Sequence, residues 1–221
     1  MNKLIIGVVL VASLCGCKRN NFVDGCLFGE KLGDDLDWRR CALFVGDTGV
    51  AGLGVDESMV IIKRPLRPFE MAAQVEQYIA CTNSSGNINA LLYNAQCDDC
   101  SRSTRFVEQV GAIIKELEAL YGNRIIDFSK EGERDLAVVG EKFIVGLTTT
   151  KYMTFDTSRG SYGMKLYITV CDVEECADKA ARNLASGAKG FKEYWMKIKG
   201  KYPADYVKLI ESKAAALSRK K

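Results

Sequence analysis

Histidine is absent from all 221 residues. That excludes Ser-His-Asp and Cys-His catalytic arrangements, His-ligated zinc or haem, and the usual general base near neutral pH. Proline is nearly absent, at three residues, so the chain holds no Pro-rich stalk. The apolar run Leu4–Leu14 is too short to cross a bilayer, which takes about 20 residues. What remains is ordinary globular material. The chain is 48% hydrophobic and 27% charged, enough for a sizeable core. Its length suits one large domain or two small ones.

The N-terminus carries an address. Lys3 supplies a short positive region, Leu4–Leu14 an apolar one, and the run ends in Leu14-Cys15-Gly16-Cys17. These 17 residues resemble the lipobox signal peptide of bacterial lipoproteins. The resemblance implies a signal peptide over residues 1–16, cleavage after Gly16 and a lipid on Cys17. A linker over 17–22 would leave the domain close to the membrane. Each buried CH₂ of an acyl chain adds about 0.8 kcal/mol, and two chains anchor stably. Lys18 follows where Asp marks inner-membrane retention in Gram-negative lipoproteins, so the resemblance points to the outer membrane in such a host. The alternative is an ordinary signal peptide cut nearby, leaving Cys17 as a thiol.

Nine cysteines is a high count, and seven follow Cys17. Export turns the expectation from metal or redox chemistry towards disulfides. Cys97-Asp98-Asp99-Cys100 falls between a strand and a helix, the place of a thioredoxin-like motif. Yet Asp98 and Asp99 would raise the thiol pKa values, and no proline lies between Pro68 and Pro203. The competing reading is structural: a local bridge, or one from Cys97 or Cys100 to Cys81. Cys171 and Cys176 span a strand end and a helix start, where a staple fits. A four-thiolate zinc site from Cys97, Cys100, Cys171 and Cys176 is conceivable, but the irregular spacing favours no metal, and no cofactor is expected.

Three other motifs are weak. Asp47-Thr48-Gly49, with Asp156-Thr157-Ser158, resembles the paired catalytic turns of aspartic proteases. The second turn lacks its glycine, and the chain is short for two lobes. Gly49, Gly52 and Gly54 match no nucleotide fingerprint. Asp34, Asp35 and Asp37 lack EF-hand spacing and read as a solvated turn.

The mature chain reads as an α+β domain over 23–186. We expect turns and short strands over 22–54 and strands at Met59–Lys63, Val75–Thr82 and Asn87–Ala95. A helix follows, with Phe106, Val107, Val110, Ile113, Ile114, Leu117, Leu120 and Tyr121 inward, capped by Ser101 or Ser103 and ended by Gly122. Strands recur at Leu136–Val139, from Phe143 to Thr149 and from Met164 to Val170. Asp172 then caps a helix stopped by Gly187. Strands-then-helix thus occurs twice, with halves at 23–122 and 123–186, and predicts an antiparallel sheet with helices packed on one face. Residues 187–221 form a basic tail of amphipathic helices, broken at Pro203. The tail carries net +7 and residues 18–186 carry −5. It either packs on the acidic domain or binds an anionic surface or an envelope partner; nucleic acid is not expected. Without a complete catalytic constellation, the expectation is a non-enzymatic envelope lipoprotein, with a thiol-disulfide redox protein using Cys97 and Cys100 as the alternative.

Overall fold

The computed structural model describes residues 21–43, 58–100, 104–153, 162–187 and 190–219. The expectations at Cys17, Asp47-Thr48-Gly49, the Gly49–Gly54 loop, Asp156-Thr157-Ser158 and the Ser101 or Ser103 cap lie outside them.

The α+β expectation holds. A short ribbon, β1 (Cys26–Leu27) and β2 (Glu30–Lys31), precedes an eight-stranded sheet whose strand pairs are all antiparallel among the described residues. In chain order its strands are β3 (Cys41–Leu43), β4 (Ser58–Ile62), β5 (Val75–Thr82), β6 (Ile88–Cys97), β7 (Ile125–Asp127), β8 (Arg134–Val139), β9 (Phe143–Met153) and β10 (Tyr162–Asp172). In space the order is β3-β4-β5-β6-β10-β9-β8-β7. Each half is a four-strand meander, and the halves meet where β6 pairs with β10, from Met164 opposite Cys97 to Cys171 opposite Ala90. The two sequence halves therefore share one sheet.

Helix α1 (Thr104–Tyr121) follows the first meander. Phe106, Val110, Ile113, Leu117 and Tyr121 are buried along one stripe, the spacing that sets side chains on one helical face. They close the main core against Tyr78, Leu91, Tyr93, Val145, Leu147, Leu166 and Ile168. Burying a side chain of this size stabilises the fold by about 1.5–3 kcal/mol.

Helix α2 (Val173–Ser186) follows the second meander and behaves differently. Asp172 accepts from the Glu174 and Glu175 amides at 2.8 and 3.1 Å, and Gly187 ends the helix at φ +69°, a conformation glycine adopts without a Cβ penalty. Its buried residues are Ala177 and Ala181. Small side chains let helix axes approach, and α2 packs on α4 (Ala204–Ser218), with α3 (Phe191–Ile198) beside them. This cluster of Ala177, Ala181, Trp195, Tyr206, Ile210 and Ala214 meets the sheet through Val139 and Ile144. Pairing register puts those two on the face opposite Val138 and Val145. The helices thus lie on both sides of the sheet rather than on one.

Two segments tie the first half together. Residues 21–32 wind into the core with Phe22, Leu27 and Phe28 fully buried. Phe22, Asp24 and Phe28 all take positive φ, a cost borne at Phe22 and Phe28 because burial holds them. Gly29, at φ +86°, leaves 2.7 Å between a hypothetical Cβ and Leu66 Cβ, so no larger residue fits. The Tyr121 hydroxyl donates to the Phe22 carbonyl, and Arg40 grips Glu30 with both terminal guanidinium nitrogens. The second segment, 63–74, is pinned by Glu76, which accepts from Met71 N and the Tyr78 and Tyr93 hydroxyls. Gln109 of α1 clamps it further, accepting from Ala72 N and donating to Glu70 O.

Candidate functional site

The sheet's second face is covered at the β7–β9 end by the C-terminal helices. At the other end, pairing register aligns Ile61, Ile79, Leu92 and Thr169 across four strands. A neighbouring row aligns Gln77, Asn94 and Tyr167. These residues alternate with core residues such as Tyr78, Leu91 and Tyr93, so the period of two that fills the core also lines this face. They border a cavity of about 430 Å³, to which Met59 also contributes. Its described walls come from β4, β5, β6 and β10 alone. Tyr167 is 40% exposed, and the aliphatic floor is half-buried.

The polar groups here are neutral. Asn94 Nδ2 donates to Gln77 Oε1 at 3.2 Å, and Asn94 Oδ1, shielded from solvent, accepts no hydrogen bond among the described residues. The described lining holds no carboxylate, amine or thiol. Such a surface can bind an apolar body and orient it, but it has no group to move a proton near neutral pH.

The cysteines scatter. Cys97 and Cys100 sit together at the end of β6, 0% and 3% exposed, as thiols. Cys100 Sγ lies 3.6 Å from the Cys97 carbonyl oxygen. Burial, and next the Cys97 thiol, push the Cys100 thiol up to about 12. Asp98 between them is turned to other work. It accepts from Tyr152 and Gln96, which hold its carboxyl below the usual range. Cys171 and Cys176 are joined, with Cα atoms 6.9 Å apart. Cys81 is buried opposite Ala90. Ala90 and Cys97 are seven positions apart on β6, about 23 Å at roughly 3.3 Å per residue. The structure therefore brings neither Cys97 nor Cys100, which lies beyond that end of β6, to Cys81, and it does not gather the four thiols weighed for zinc at one point. Among the described residues no group of three or more Cys, Asp or Glu converges on a metal position.

No protein-family model, curated protein or solved structure matches this chain.

The remaining candidates have structural duties. Asp37 caps the turn at Trp38–Arg40 and pairs with Arg39 and Arg40. The Arg39 side chain, first among these contacts, holds its carboxyl below the usual range. Asp35 accepts from Asn87 at 3.0 Å. In the basic tail, Trp195 is 4% exposed inside the helical cluster. Lys213 pairs with Glu174 and Asp178, Lys199 with Glu211, and Lys201 donates to the Asp127 carbonyl. Tyr194 and Met196 face solvent. No described helix is long and apolar enough to cross a membrane.

Sequence reasoning missed the lined face. The signal was present, since Met59, Ile61, Ile79 and Leu92 are apolar on the alternate positions of their strands. Strands apolar on both faces read as buried ones, and only the sheet order tells which second face stays without a helix.

Proposed function

We propose that this chain is a lipid-anchored protein of the bacterial cell envelope that binds rather than catalyses, with the apolar face across β4, β5, β6 and β10 as its binding surface. One observation carries the binding part: a cavity of about 430 Å³ with an aliphatic floor and no charged side chain on its described lining. Ligand pockets of a few hundred Å³ with few polar groups suit apolar ligands. The favoured ligand is the hydrocarbon chain of a lipid. A domain whose described part begins at Asn21, four residues after Cys17, sits within about 14 Å of its anchor at that point. Lipid is then the most abundant apolar material nearby.

Leu14-Cys15-Gly16-Cys17 supports the anchor, and outer-membrane placement rests on Lys18 alone. The joined Cys171 and Cys176 suit an oxidising compartment. The thiol-redox alternative needs an accessible thiolate. Burial of Cys97 and Cys100, with the Cys100 thiol up at about 12, counts against it. A tail acting on anionic membrane would want its tryptophan at the interface, and Trp195 is packed inside.

Two experiments test the reading separately. Labelled palmitate should enter the wild-type protein in bacterial cells and not the Cys17→Ser variant; an unlabelled wild type removes the anchor. A fluorescent fatty acid should bind the purified mature protein and lose at least tenfold in affinity with Leu92→Glu. Equal binding by both removes the proposed surface.

A further inference from the structure

The buried pair at the end of β6 has no part in the binding face, yet its setting is constrained. Cys97 is the last residue of β6 and α1 begins at Thr104. Cys100 is fixed by its amide, which donates to the Tyr162 carbonyl at 2.9 Å. The chain between them is held too, because the Asp98 amide donates to Gln74 Oε1 at 2.9 Å and its carboxylate receives Tyr152 and Gln96. Both sulfurs belong to the main core cluster. The Cys100 sulfur lies 3.6 Å from the carbonyl of Cys97 itself, and the Cys97 thiol, after burial, helps hold the proton on Cys100. A disulfide needs Cα atoms within about 7 Å, and the chain bends at Asp98 between the two cysteines, which draws the ends of so short a span together.

We infer that Cys97 and Cys100 close a second disulfide beside Cys171–Cys176, stapling the end of β6 to the segment that leads into α1. The inference rests on the export reading above for its oxidant, which is a small-molecule or protein disulfide. One cysteine thiolate attacks that disulfide and displaces a thiolate. The second cysteine, as thiolate, then attacks the mixed disulfide and releases the other half. The pair gives up two electrons and two protons, and the oxidant leaves as two thiols. Closure belongs to folding, while the sulfurs are still accessible. Afterwards burial keeps reductant away, so the bridge is a structural staple and not a catalytic redox couple.

The test starts from the reduced, unfolded mature chain, refolded in oxidised and reduced glutathione. Remaining thiols are alkylated, the protein is digested without reduction, and the peptides are mapped by mass. The expected peptide holds Cys97 and Cys100 unalkylated and lighter by two hydrogens than the dithiol. In the folded protein it stays closed under dithiothreitol and opens when denaturant is added. Alkylation of both residues alongside a closed Cys171–Cys176 overturns the inference. So does a bridge from either residue to any other cysteine, or failure of every pair to close. Loss of palmitate labelling would instead strike the export reading and leave this result standing.

Discussion

The two halves of the sheet share a plan and diverge at its last step. Each is a four-strand meander followed by a helix, and they meet at β6 and β10. Yet α1 lies on the core face while α2 turns to α4 and the opposite side. Residue size explains the difference. Phe106, Val110, Ile113 and Leu117 offer a broad apolar stripe that a sheet can fill. Ala177 and Ala181 have little area to give a sheet, and their worth lies in letting α4 come close. The lesson is that a shared order of elements does not make a shared architecture.

That comparison can be broken in steps. Phe106→Ala should cost most, about 3–5 kcal/mol, because a large cavity opens in a fully buried site; denaturant unfolding would read it. Ala181→Leu should cost less, about 1–3 kcal/mol by overpacking, and should loosen α4 rather than the sheet, which hydrogen exchange would resolve. Equal loosening of both would mean that α2 leans on the sheet after all. Asp172→Ala should cost about 1 kcal/mol through its two lost cap bonds, seen as a lower thermal midpoint with unchanged disulfide. Lys213→Ala, at a partly exposed pair, should cost well under about 1 kcal/mol and fade with added salt.

A pH measurement sharpens the same contrast from the core side. In the protein kept reduced, burial raises Cys100 from 9.0 to about 12 and Tyr78 from 10.0 to about 12. As pH climbs the unfolded chain loses these protons first, so their contribution is whole below about 9 and falls away towards 12. The thermal midpoint should therefore drop across that window, and less steeply in Cys100→Ser. An identical slope would show that the thiol contributes nothing.

Much of this was legible in the chain itself. The stripe of α1, the β5–β6 hairpin, the Asp172 cap and the Gly187 stop are local patterns, set by the period of a helix, the period of a strand or the needs of one backbone turn. The Cys171–Cys176 neighbourhood is local too, with a sequence separation of five. The short edge strand β7 was not legible, because three residues carry no period. Nor was the helix side. Periodicity says which side of an element is apolar, but not which element will cover it.

The sequence alone thus determined where most helices and strands lie and how several of them end; the proposed address at Cys17 also rests on sequence alone. Tertiary structure decided the rest. It joined β6 to β10 and sent α2 away from α1. It also paired Glu30 with Arg40 and left the β4–β5–β6–β10 face without a described helix. Those outcomes depend on which distant surfaces meet, and that is set by a competition among packings over the whole chain, not by any residue's neighbours in sequence.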